Sequence, residues 1–166
     1  MKTLSKGLLV AAVQVLLVGS VGAKFIIDRV HYPRVWIATQ AVDPDLPVRG
    51  RYIQVLAVVD TEGPVAPNAV MRGVQRVRLA VRNDALVAIG DGDGRQWIRQ
   101  TNCGAVRCWV LTQPLAYFIP EHGKDPTRHN AGEELWVEAS IPPTGPPRPI
   151  RLGRKSEGKI SVIETE

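Results

Sequence analysis

Aromatic side chains are scarce in this 166-residue chain, at 5% of the total. No dense basic stripe accompanies them, so the stacking and phosphate-gripping surface that nucleic-acid recognition needs is missing, and no nucleic-acid partner is expected. No Walker-type phosphate loop, zinc ribbon, H-E-x-x-H helix or Gly-x-Ser-x-Gly elbow occurs, which removes the local signatures of phosphoryl transfer, zinc proteolysis and serine hydrolysis. Histidine is limited to three residues and cysteine to two. Glycine and proline stay moderate beside 45% hydrophobic residues, which excludes collagen-like and wholly disordered chains. There is no internal repeat, and the length suits one folded domain.

Acids are absent from the first 23 residues, where Lys2 and Lys6 precede an uncharged run from Gly7 to Ala23. A helix over residues 7–23 would be about 25 Å long, near the lower limit for a bilayer core. The run is either an uncleaved signal anchor lying in the lipid bilayer or a secretory signal cleaved after Val21-Gly22-Ala23. Both export the rest of the chain, and the acid-free leading tail favours a cytoplasmic N-terminus. The expected address is a cell inner membrane, single-pass, with the C-terminal domain in the periplasm. Residues 1–30 are thus read as anchor or signal and 31–166 as the extracytoplasmic domain. Of the net charge of +5, Lys2 and Lys6 supply two, leaving +3 on the exported part. Such a mild excess, mixed with acids, reads as a solvated surface. His31, Tyr32 and Trp36 are placed to form an interfacial belt.

Beyond the anchor, the hydrophobic pattern has period two. Val77, Leu79 and Val81 alternate with Arg76, Arg78 and Arg82 in a half-buried strand over 74–82. Solvation is the ordinary role of that arginine row, and anionic lipid headgroups are the other. Tyr52 to Val59 is apolar on both faces, as a central strand would be. Leu135, Val137, Ala139 and Ile141 alternate with Glu134, Glu138 and Ser140, and Val106, Cys108 and Val110 with Arg107, Trp109 and Leu111. Shorter strands are expected at Arg34–Thr39, Ala85–Ile89, Leu115–Ile119, Pro149–Leu152 and Lys159–Ile163. Turn signals separate them, notably Gly90 to Gly94 and Pro142 to Pro147. The fold class is mainly β: a compact antiparallel sandwich or barrel preceded by one N-terminal transmembrane helix. Cys103 and Cys108 would close a short disulfide loop in an oxidising compartment, the alternative being two unlinked thiols.

The stretch Arg49-Gly50-Arg51-Tyr52 resembles the signature of the GDYXXLXY-motif family, small bacterial membrane-anchored proteins. Gly50 and Tyr52 match, while Arg51, Val55 and Ala57 stand where the family has Asp, Leu and Tyr. Pro33-Arg34-Val35-Trp36, Tyr117-Phe118-Ile119-Pro120-Glu121 and Arg148-Pro149-Ile150-Arg151-Leu152-Gly153 extend the resemblance over most of residues 7–153. It implies an accessory role beside a polytopic membrane protein, and a partner or ligand surface at Arg49, Gly50, Arg51, Tyr52 and Glu121. Local chemistry reads the same segment as a turn entering a strand at Tyr52.

Candidate chemistry elsewhere is thin. His122 and His129, with Glu121 and Asp125, share one loop but fit no stereotyped metal spacing. Asp91-Gly92-Asp93-Gly94 resembles a calcium-loop fragment without its closing Glu, and a hairpin turn accounts for it. Glu133, Glu134 and Glu138 would need partners in space to act as paired carboxylates. The expectation is a non-enzymatic accessory domain without cofactor or metal. The alternatives are an envelope module binding a small anionic ligand through Arg49, Arg51, Arg76 and Arg78, or a metal-assisted hydrolase built on His122 and His129.

Overall fold

The computed structural model describes residues 2–42, 52–63, 73–90, 93–120, 125–127, 130 and 132–164. They divide into two compact units, Met1–Tyr32 and Pro33–Glu166. The first is one helix, α1 (Lys2–His31). Within it Lys6–His31 is long and apolar enough to cross a membrane by length and composition. The helix runs past Ala23, because nothing from Lys24 to His31 breaks it and Pro33 is the first residue to disfavour helix before it. Its leucines and valines, such as Leu8, Leu16 and Val18, are exposed, as befits a helix with no apolar partner in its own unit.

The described residues of the second unit form ten strands: β1 (Arg34–Ala41), β2 (Tyr52–Glu62), β3 (Val74–Arg82), β4 (Ala85–Gly90), β5 (Gln96–Cys103), β6 (Val106–Leu111), β7 (Leu115–Phe118), β8 (Glu134–Ser140), β9 (Arg148–Ser156) and β10 (Lys159–Val162). All pair antiparallel except β2 with β4, which run parallel. The long strand β2 takes four partners in succession. It meets β7 over Tyr52–Val55, β1 over Val55–Ala57, β6 at Val58 and Val59, and β4 over Asp60–Glu62. Its later half closes a ring, β2-β4-β3-β5-β6 and back to β2. Its earlier half belongs to an open arm ordered β10-β9-β8-β1-β2-β7.

One core joins ring and arm. Ile53, Val55, Ala57 and Val59 project from β2 into it. There they meet Val77, Ala88, Ile98 and Leu111 of the ring and Val35, Ile37, Leu135, Val137 and Leu152 of the arm. Burying each of the larger side chains contributes roughly 1.5–3 kcal/mol. The opposite face of β2 is covered in part: Leu56 is buried, Tyr52, Gln54 and Val58 are half-buried, and Asp60 is exposed. The apolar run from Tyr52 to Val59 thus has its physical reason in one fully buried face and one partly covered one.

Two strand-level expectations are corrected. Strand β5 is absent from the sequence reading because the side of the strand that buries Gln96 and Ile98 continues through the exposed Gln100 and Asn102, which leaves no apolar period to detect. In β8, Glu138 and Ser140 are buried rather than solvated. Glu138 lies in register between Trp36 and Arg151, and the Arg151 guanidinium Nε–H donates to its carboxylate. Trp36 packs within the sheet. Its ring lies over Gly153 next to Ile160, where a Cβ on Gly153 would stand 2.6 Å from the indole.

The Cys103–Cys108 disulfide is present and clasps the β5–β6 hairpin, with the Cα atoms 5.8 Å apart and a turn at Gly104. Replacing both cysteines by serine is expected to cost about 2 kcal/mol in a denaturant titration, the chain-entropy value for so short a loop. Gly94 lets the approach to β5 lie directly against the Val77 backbone of β3, where any Cβ would overlap main-chain atoms. Gly94→Ala is accordingly expected to destabilise by about 3 kcal/mol in the same titration, the upper end of overpacking costs.

Candidate interaction surfaces

Of the five residues that the sequence singles out, Tyr52 is within the described part. Arg49, Gly50, Arg51 and Glu121 lie outside the described residues, as do His122 and His129. The strand ends from which those segments depart are nevertheless described. Tyr52 begins β2 and Phe118 ends β7, and the two are register partners in an antiparallel pair. Their ring centroids are 6.1 Å apart with the planes tilted by 56°, an edge-inclined contact that such aromatic pairs favour. Ile119 is buried in the core directly after Phe118, so the strand is pinned while Phe118 is left 77% exposed. A large apolar ring held outward on a fixed strand is a preformed contact. At the level of sequence, Phe118 enters only through the family resemblance. The signal that finds it is cross-strand register, a long-range property.

The next inward positions of β2 are closed by packing. Val55 and Ala57 both point into the core and are fully buried. Ala57 sits opposite Thr39 of β1, whose hydroxyl donates to the Leu135 carbonyl at 2.7 Å. Its complete burial leaves no room for a large side chain there.

The outer face of the arm holds two tryptophans, and both are capped from within the domain. The Lys155 ammonium lies 4.2 Å from the Trp136 ring centroid, and the Arg151 guanidinium 5.6 Å from that of Trp36. The Trp136 indole N–H donates to Glu134 at 3.0 Å. These ring faces are used internally, so they do not form a free stacking platform. The carboxylates considered for paired acid–base work have partners of their own: Glu133 faces Arg154 at 3.4 Å, Glu134 accepts from Trp136, and Glu138 accepts from Arg151. Asp125 accepts from both the N–H and the hydroxyl of Thr127, which is turn chemistry. Among the described residues no group of three or more His, Cys, Asp or Glu side chains is arranged to hold a metal. Ser140, fully buried, has an Oγ without a hydrogen-bond partner among the described residues.

A third tryptophan, Trp97, lies on the outside of the ring. It is 44% exposed, with Arg76 of the adjoining strand 4.8 Å from its centroid. The strands around it, β3 to β6, bear Arg76, Arg78, Arg82, Arg99 and Arg107 and no acidic residue. Arg82 is neutralised locally by Glu62 at 3.5 Å, with both side chains largely exposed, a pair worth little to stability. Two candidate surfaces therefore emerge: the Tyr52–Phe118 end of β2 and β7, and the basic outer face of the ring.

Placing a large side chain at the closed core position tests the packing account. Ala57→Tyr is expected to lower stability by about 3 kcal/mol or to prevent folding, measured by thermal unfolding, because overpacking displaces both ring and arm. No protein-family model, curated protein or solved structure matches the chain.

Proposed function

We propose that this chain is a membrane-tethered, non-catalytic β-domain that works by contact, as the accessory partner of a polytopic membrane protein. The observation that carries the reading is Phe118. It is a large apolar side chain, held outward by its pairing with Tyr52 and by the burial of Ile119, in a unit covalently joined to an apolar helix. Aromatic anchors of this kind supply much of the energy at protein interfaces. Arg49, Gly50 and Arg51 immediately precede Tyr52 in sequence, and Glu121 follows Phe118 by three residues, so they join the proposed surface on sequence grounds. The resemblance to the GDYXXLXY-motif family supports the same role.

The proposed address is an inner membrane crossed once by α1, with the β-domain in the periplasm. Its support is the pair of leading lysines without an acid, together with the disulfide, which suits an oxidising compartment. The test is purification of the tagged chain from detergent-solubilised membranes. A polytopic protein is expected in near-stoichiometric amount, and Phe118→Asp is expected to remove it while leaving the thermal midpoint of the domain unchanged, since Phe118 contributes little burial. A solitary protein in the wild-type fraction, or a partner retained by Phe118→Asp, would count against this surface.

A further inference from the structure

On the outer face of the ring, sheet register places one exposed apolar ring among cations. Arg76 stands opposite Trp97, and Val74 opposite Arg99, so Arg76, Trp97 and Arg99 form one contiguous patch on the β3–β5 ribbon. The same face continues to Cys103 and its register partner Val106, which is 66% exposed beside the disulfide. Every charged residue within β3 to β6 is an arginine. The arm differs: Glu134 and Glu138 there sit among its arginines and lysines.

Covalent connection adds a second constraint. Helix α1 ends at His31 and β1 begins at Arg34, so only Tyr32 and Pro33 separate the apolar helix from the sheet. Two residues reach at most about 7 Å when extended. With α1 in a bilayer, the β-domain is therefore confined near lipid headgroups at a high effective concentration, where weak contacts are sufficient to orient it. Tryptophan and arginine are the side chains suited to that layer. The indole prefers the interface between hydrocarbon and water, and the guanidinium pairs with phosphate through two parallel hydrogen bonds.

We propose that the Arg76–Trp97–Arg99 face is a docking surface for anionic phospholipid headgroups, which orients the domain on the membrane that anchors it. It is separate from the Phe118 surface and does not depend on it. The arginines bind phosphate-bearing headgroups by charge, Trp97 enters the interfacial layer, and Val106 adds an apolar contact at the hairpin tip. The attraction is electrostatic in origin, so it weakens as salt shortens the screening length.

The test uses the full chain, purified alone and reconstituted into nanodiscs of phosphatidylcholine, or of phosphatidylcholine with phosphatidylglycerol. Both carry brominated acyl chains, which quench nearby indoles. The contribution of Trp97 is the difference between each protein and its Trp97→Phe counterpart. Several-fold stronger quenching of Trp97 is expected in the phosphatidylglycerol discs, declining as sodium chloride is raised. Arg76→Glu with Arg99→Glu should abolish the difference, and Arg76→Lys with Arg99→Lys should largely keep it, because charge is what the headgroup reads. Both arginines are exposed, so these variants keep the core intact. Equal quenching in the two lipids would overturn the proposal, as would quenching that survives the double Glu variant. Loss of the effect on adding inorganic phosphate, but not sodium chloride of equal ionic strength, would reassign the face to a small soluble anion and also overturn it.

Discussion

The backbone ladder along β2 is the constraint on which the rest of the domain depends. One strand serves four others, and its two halves belong to different arrangements of the sheet, an open arm and a closed ring. Its inward side chains are the set that touches both groups of core residues, so ring and arm share one hydrophobic interior rather than two. A strand in that position needs apolar, largely β-branched residues on both faces, which is what Tyr52 to Val59 provides. The near-absence of bulk at Ala57 follows from the same crowding.

From this arrangement the two candidate surfaces acquire their character. Closing the ring uses up the edges of β3 to β6, so what they offer outward is a side-chain face, and its chemistry is set by arginines alternating with core residues. The arm ends on β7 and β10, whose outer edges have no ladder partner among the described residues. Phe118 lies at the end of one of these, where an apolar side chain is not shielded by a neighbouring strand. The two tryptophans on the arm avoid that exposure because cations from β9 cover them.

Much of the strand pattern is legible from residues alone. The spans Val74–Arg82 and Val106–Leu111 coincide with β3 and β6, while the expected burial of β2 on both faces holds fully for one face and only in part for the other. Strand β5 is not legible, because a face reading Gln96, Ile98, Gln100, Asn102 is held in place by its neighbours rather than by its own hydrophobicity. The parallel β2–β4 pairing is hidden for a related reason: it is a by-product of ring closure, and no local signal encodes it. Of the candidate site, the sequence points to Tyr52 but not to its pairing with Phe118, which joins residues far apart in the chain. The packing of Trp36 on Gly153 is likewise a cross-sheet contact that its own sequence neighbourhood does not encode.

The pairing of β1 with β8 also bears on how the chain is assembled. Arg34 to Ala38, the half of β1 nearest the helix, find their cross-strand partners in Ser140 to Trp136. The ring, by contrast, is complete by Leu111. Long loops close slowly, and pairings between distant segments are the late ones in folding. A growing chain can therefore finish its ring while Arg34 to Ala38 are still unpaired, held only through the later half of β1, where Thr39 to Ala41 pair with β2. A strand made after the ring is thus what fastens the residues beside the tether in place.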